Sequence, residues 1–346
     1  HMNGAVMRIA TEYYDALSPK VNRLRSFCVI CVTNFVQVIS CNLPYTNLEH
    51  GVDKMKIAVV TDSTAYLSPE EAAANNIHVV PIPVTLDGQT YREGVDISTS
   101  DFYEKMANSS SFPTTSQTPI GQLMEVYQGL ADDGYDAVIS IHLTRAITGY
   151  LDTVEQLAEQ MKDTIKIVPI DSHLTVKMMG YLALEAAKLA SEGNDLDDIV
   201  KKVKEYRDTF NNVFVVDDLQ NLVRGGRLSN ASAFVGSILK IKPLLTMHTP
   251  THAIEAFEKV RSMKKAKLRC EQIFDEDIAK LDYPVRAMVV HANAPEEGQK
   301  WLDKLQADHP DISFELSYFG PVIGSHLGQG ALALAWMQDT AKKPLA

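Results

Sequence analysis

From residue 55 onward, apolar positions alternate between two spacings. Short runs of β-branched and aliphatic residues are separated by longer stretches in which apolar residues recur every three or four positions. The first spacing is that of buried strands, the second that of amphipathic helices. Met55-Lys56-Ile57-Ala58-Val59-Val60 predicts a strand ending in Thr61-Asp62-Ser63-Thr64. Ser68-Pro69-Glu70-Glu71 then predicts a helix start, with Ser68 as N-cap and Pro69 as first helical residue. A second strand over 77–84 completes a βαβ opening. The pattern goes on with helices at 123–132, 149–161, 176–191 and 195–210, and strands at 137–142, 165–170 and 213–216. Near-continuous apolar strands between helices indicate a parallel sheet covered on both faces.

The texture then changes. An apolar helix rich in small residues is predicted over 231–241, a charged amphipathic helix over 263–281 and a further helix over 295–307. Strands are predicted at 244–248, 252–257, 285–291 and 312–318, and the 331–337 stretch reads as helix or strand. This is an α+β arrangement with a mixed sheet. The expected organisation is an N-terminal extension over 1–54, a first α/β domain over 55–213 and a second over 214–346, divided near 211–217.

Composition narrows the classes. A chain of 346 residues is long enough for two cores. Its net charge of −11 argues against a general nucleic-acid binder, which normally carries a basic face. The longest apolar run, 27–39, is broken by Thr33, Asn34 and Gln37 and is too short and polar to span a bilayer. Residues 1–26 carry Glu12 and Asp15 and lack a clean signal-peptide pattern, although Arg23 and Arg25 precede the apolar run. His1-Met2 looks like a tag-removal scar. Cys28-Val29-Ile30-Cys31 has a metal or redox spacing, but only Cys41 and His50 follow closely, so small apolar residues in an apolar run are the preferred reading. The low cysteine count fits a reducing compartment, and a cytoplasmic protein is expected.

Several polar segments carry candidate chemistry. Pro113-Thr114-Thr115-Ser116-Gln117-Thr118-Pro119 is a run of hydroxyls between prolines, able to hold donors at fixed positions or to start a helix with Thr118 as N-cap and Pro119 as N1. His142-Leu143-Thr144-Arg145-Ala146-Ile147-Thr148-Gly149 follows a strand and precedes a helix, so Thr148 either faces an anion or belongs to an ordinary turn. Asp62-Ser63 and Asp171-Ser172 end strands, where ligands of α/β sheets collect and where Asx turns also occur. Arg224-Gly225-Gly226-Arg227-Leu228-Ser229 places two glycines between two arginines, permitting close backbone approach and an oxyanion clamp. No Walker loop or G-x-G-x-x-G accompanies it. His326 lies among glycines in the segment 320–330, which reads as a loop; its ring either serves a carboxylate or faces solvent. Paired carboxylates, a metal-ligand pattern and a convincing Ser-His-Asp order are not apparent, so no catalytic residue, metal or cofactor is assigned.

In this order, Val60-Thr61-Asp62-Ser63-Thr64, Thr115-Ser116-Gln117, Thr148-Gly149, Asp171-Ser172, Gly225-Gly226-Arg227-Leu228-Ser229 and His326 resemble the motifs of the DegV family of bacterial fatty-acid-binding proteins. The resemblance runs from Met55 onward. It implies two α/β domains with one long-chain fatty acid in a tunnel between them, and the role of lipid-carrier subunit for an ATP-binding fatty acid kinase. It also implies Thr115, Ser116, Thr148, Gly149 and His326 at the carboxylate, and Arg227 on the partner or phosphate side. Transient contact with a membrane surface is compatible with such a carrier. The small residues of 231–236 are expected to make room for the tail. Three departures stand out: Leu143-Thr144 where the family has Ser-Ser, Thr118 inserted before Pro119, and Gln329 in place of proline after Gly328. Residues 1–54 have no family counterpart; they are either a genuine extension or an upstream region outside the native start, with Met55 as the initiator. Two other classes remain open: a self-sufficient hydrolase or transferase of an acyl substrate using His326 and a hydroxyl, and a small-anion sensor.

Overall fold

The computed structural model describes residues 54–234 and 241–342, and the backbone of Cys28–Val32 and Phe35–Ile39. Those two strands pair antiparallel in a unit separate from the one beginning at Lys54. The expectations for the side chains of Cys28 and Cys31, and for Cys41 and His50, fall outside the described residues, as does the 235–240 part of the predicted helix; Ala231–Phe234 is a 3-10 turn.

Two sheet-centred lobes make up the larger unit. The first holds a four-stranded parallel sheet in the order Ile77–Val80, Ile57–Asp62, Ala137–His142, Lys166–Asp171. Three of the four strands, all but Ile77–Val80, are followed by turns with hydroxyl or other polar residues, and the crossovers put helices on both faces, as continuous apolar strands require. Ser68 caps Pro69–Ala74 in a full capping box with Glu71. The predicted strand 77–84 is two strands, Ile77–Val80 and Pro83–Leu86. Pro81 and Pro83 flank the break, and each lacks a backbone donor. Pro83–Leu86 instead joins a small antiparallel sheet between Gln89–Arg92 and Thr114–Thr115.

The second lobe is a six-stranded mixed sheet. Its order is Glu255–Val260, Lys242–Thr246, Asn211–Val215, Leu332–Gln338, Val285–His291, Ser313–Tyr318. Only the last two strands pair in parallel, with helix Pro295–Asp308 as their crossover. The 331–337 stretch is thus a central strand. Asn211–Val215 belongs to this sheet, so the expected division at 213/214 falls within one strand.

Strand alternation gives this sheet two faces of different use. Val213, Val215, Leu332, Leu334 and Trp336 pack with Phe274 and Trp301 beneath helices Met263–Ile278 and Pro295–Asp308. The opposite face carries Phe214, Val290, Ala333 and Ala335, which join the large core shared with the first lobe. Alanines at alternate positions of a central strand leave space against that face, and the cavity lies there.

Candidate functional site

A cavity of about 300 Å³ lies where the two lobes meet. Its walls come from the first lobe's turns, from the second sheet's inner face and from helix Pro321–Leu327. All six residues singled out from the sequence, Thr115, Ser116, Thr148, Gly149, Arg227 and His326, line it. Four polar segments distant in sequence therefore converge on one site.

Local structure places each group. Thr115 sits in a two-residue strand paired with Val84, and the Ser116 amide donates to the Pro83 carbonyl at 3.2 Å. The hydroxyl run is thereby held to the small sheet's edge. Thr148 Oγ1 accepts from the Tyr150 amide at 3.3 Å, and Gly149 precedes helix Tyr150–Gln160. A Cβ at Gly149 would come within 2.9 Å of Gln117 Nε2, the tip of an exposed side chain, so the two turns lie side by side here. Thr118 is not the N-cap. Its hydroxyl donates to the Pro81 carbonyl at 2.9 Å, leaving Pro119 to precede Ile120–Asp132 without a side-chain cap.

His326 is not in a loop. It occupies the last turn of helix Pro321–Leu327, which has Pro321 at its start and Gly328, at φ 74°, after its end. Gly320 and Gly328 bracket this helix, and Gly324 lies within it without breaking it. Its Nε2 lies 2.9 Å from Thr115 Oγ1, across 211 residues of sequence. A Cβ at Gly225 would come within 2.6 Å of His326 Nδ1, so the Gly-Gly segment gives the imidazole its space. Partial burial, with the Arg227 charge second, pushes the His326 pKa down to about 4, and the ring is neutral at pH 7. Arg227 donates through Nε to the Ile147 carbonyl at 3.2 Å and through a terminal nitrogen to the Gly225 carbonyl. That ties the Gly-Gly-Arg turn to the Thr148 turn.

Polarity is distributed unevenly around the cavity. Ser116 and Gln117 are exposed, while Thr115, Thr148, Arg227 and His326 are partly buried, so the hydroxyls and imidazole mark a mouth. The interior is lined by Phe214, Met247, Ile254, Val290, Ala333 and Ala335 among others. The room expected from 231–236 is here provided by Ala333 and Ala335; residues 235–236 lie outside the described set. Sequence reasoning missed the inner-face residues because their assignment needs the register of a sheet not visible locally.

The other strand-end motifs do not reach the cavity. Asp62 is buried and accepts from the Thr64 amide and hydroxyl, the Leu143 amide at 3.1 Å and His142 Nδ1 at 3.0 Å. His142 Nε2 is 2.7 Å from Ser140 Oγ, itself 2.7 Å from the Tyr127 hydroxyl. This Ser-His-Asp chain is fully buried, and its serine has no path to a substrate. Asp171 and Ser172 bond to their own turn, which leads Leu174 to Val176 along the cavity wall. Among the described residues, no group of three His, Cys, Asp or Glu is placed to hold a metal ion, and no helix is long and apolar enough to cross a membrane.

Comparison with known proteins fits this geometry. The profile of the family described as "Uncharacterised protein, DegV family" matches residues 56–339. Protein DegV of Bacillus subtilis is 45% identical over 283 residues, covering 82% of this chain and 99% of that protein. The crystal structure of DegV from Bacillus subtilis, a fatty acid binding protein, superposes with a TM-score of 0.76 at 44% identity, covering 83% of this chain and all of that one. A fatty acid binding DegV family protein from Streptococcus agalactiae gives a TM-score of 0.77 at 33% identity, with coverage of 83% and 100%. The chain belongs to the DegV family.

Proposed function

We propose that this protein binds one long-chain fatty acid in the cavity and presents its carboxylate to a separate ATP-dependent kinase subunit. The observation that carries the reading is the polarity of the cavity: a hydroxyl and imidazole cluster at the mouth and an apolar interior. A carboxylate accepts hydrogen bonds only, so it suits the Thr115, Ser116 and Thr148 hydroxyls, the Gly149 turn and an N–H of His326. With the imidazole neutral, the head group is held by hydrogen bonds, and the nearest positive charge is Arg227. The tail gains about 0.8 kcal/mol for each methylene buried against the inner face. Support also comes from the Bacillus subtilis relative, described as a fatty acid binding protein.

In the carrier reading the chemistry belongs to the partner. A carboxylate oxygen attacks the γ-phosphorus of ATP, the bond to the bridging oxygen breaks, and acyl phosphate and ADP form. Arg227, at the mouth, is suited to the partner or to the incoming phosphoryl group. On this reading the protein works in the cytoplasm. The alternative, a self-sufficient hydrolase or transferase, has one observation in its favour, the 2.9 Å contact of His326 with the Thr115 hydroxyl. A His pKa near 4 makes that imidazole a weak base at neutral pH.

Mass spectrometry of lipid extracted from purified protein tests the binding step. One long-chain acid per chain is expected; protein free of acid that also takes up none on exposure would refute it. The carrier step is tested separately with ATP, Mg²⁺ and fatty acid. Acyl phosphate is expected only once an ATP-binding fatty acid kinase subunit is added, and its formation by this chain alone would overturn the assignment.

A further inference from the structure

Three buried residues bring polar side-chain atoms to the cavity interior, Tyr150, Thr175 and Asn212, and the Tyr150 hydroxyl is already used in donating to Thr118 Oγ1 at 3.3 Å. Thr175 and Asn212 are both more than nine-tenths buried. Thr175 occupies the N-cap position of helix Val176–Ser191, where a threonine hydroxyl normally accepts from the first turn's amides. It makes no such bond, and its Oγ1 has no hydrogen-bond partner among the described residues. Asn212 uses Oδ1 to accept from the Met247 amide at 3.0 Å. Its Nδ2 hydrogens have no partner among the described residues.

Asn212 sits away from the mouth. On the inner face Phe214 pairs with Ala333, near the end that leads to Arg227 and His326, whereas Asn212 pairs with Ala335. Two residues along a strand is roughly 6–7 Å further in. Thr175 connects the two ends: the Leu174 carbonyl before it accepts from the Thr144 amide at 2.9 Å, in the turn that leads to Thr148. His173, two residues before Thr175, stacks on His252 with ring centroids 3.7 Å apart, and His252 closes the turn that follows Met247.

Resting on the fatty-acid reading, we propose that Thr175 and Asn212 form an inner polar subsite selecting a long-chain acid with an oxygen function, a hydroxyl group, partway along its chain. A plain hydrocarbon leaves a buried hydroxyl and amide unsatisfied, which is costly, whereas a chain hydroxyl can accept from Asn212 Nδ2 and bond Thr175 Oγ1. Discrimination by a site built around hydrogen-bonding groups follows from that cost.

The test is a competition series of stearate, 10-hydroxystearate and 12-hydroxystearate against the whole protein. At least one hydroxy acid should bind about tenfold more tightly than stearate. Thr175→Val and Asn212→Leu should each collapse that ratio toward one, and Thr175→Ser, which keeps the hydroxyl, should preserve it. A cooperative thermal transition in each variant confirms folding. Stearate binding with no preference for either hydroxy acid would overturn the subsite alone, as would a preference that survives both Thr175→Val and Asn212→Leu. Failure of all three acids to bind would overturn the fatty-acid reading and the subsite with it.

Discussion

His142 and His326 both lie beside a hydroxyl, yet they do different work. His142 is sealed beneath the first sheet's strand ends, between Asp62 and Ser140, with the Tyr150 ring 4.7 Å away. His326 stands at the cavity mouth beside Thr115, on a short helix held by other groups. The first arrangement has the composition of a nucleophile triad without access. The second has access without a hydrogen bond or ion pair to an acidic side chain among the described residues. Residue types alone therefore do not define an active site; burial and what lies opposite decide. The buried network serves the fold, since each of its polar atoms would be costly without a partner. The mouth cluster keeps hydrogen-bonding capacity turned toward the cavity.

The comparison is broken most severely at Asp62. Asp62→Ala strips four hydrogen-bonding groups of their acceptor, and an expected loss of about 3 kcal/mol or more in urea unfolding follows. His326→Ala should change unfolding by less than about 1 kcal/mol. A smaller stability loss for Asp62→Ala than for His326→Ala would reverse the assignment of the two regions.

At the mouth the expected loss is in affinity. Thr115→Val and Thr148→Val should each weaken long-chain fatty acid binding about tenfold by calorimetry, with a smaller effect on the matching fatty alcohol. Equal losses for acid and alcohol would mean that these threonines shape the cavity without reading charge.

Titration sharpens the contrast further. The His326 pKa is lowered from 6.5 to about 4, so its contribution to stability is present above pH 6.5 and lost as pH falls through 4. Glu93 runs the other way. It is buried, accepts from the Ser63 hydroxyl at 2.6 Å and from the Val322 amide at 2.9 Å, and burial raises its pKa to about 7. Its contribution is present below pH 4.5 and is lost as pH rises through 7. Removing each group in turn, by His326→Ala and Glu93→Gln, should flatten the pH dependence of the melting temperature in opposite directions; the same direction for both would contradict these environments. The smallest effect expected is at Arg227. Arg227→Ala removes the second cause of the His326 shift, and the ring resonance should titrate at a higher pH by NMR, still below the ordinary histidine range.

Much of this was legible in the chain and the remainder has identifiable causes. The capping box at Ser68, the strand Ala137–His142 and the helix Val176–Ser191 follow from local periodicity and punctuation. The hydroxyls and glycines of the mouth were legible as chemistry, and the family motifs grouped them. The helix carrying His326 was obscured because glycine density reads as loop, although Pro321 and Gly328 are the signals that bracket it. Thr118 was misread as a cap because its acceptor, the Pro81 carbonyl, lies 37 residues away. The cavity's inner wall was hidden for the same reason: that Ala333 and Ala335 face Phe214 and Asn212 depends on antiparallel register between strands more than 100 residues apart.

A crystal structure of the protein with a bound long-chain fatty acid tests the central claim most directly. A carboxylate oxygen is expected within hydrogen-bond distance of Thr115 Oγ1 and His326 Nε2, with the chain running inward past Phe214 toward Ala333 and Ala335. A carboxylate at the Asn212 end, or a chain bound outside the cavity, would contradict it.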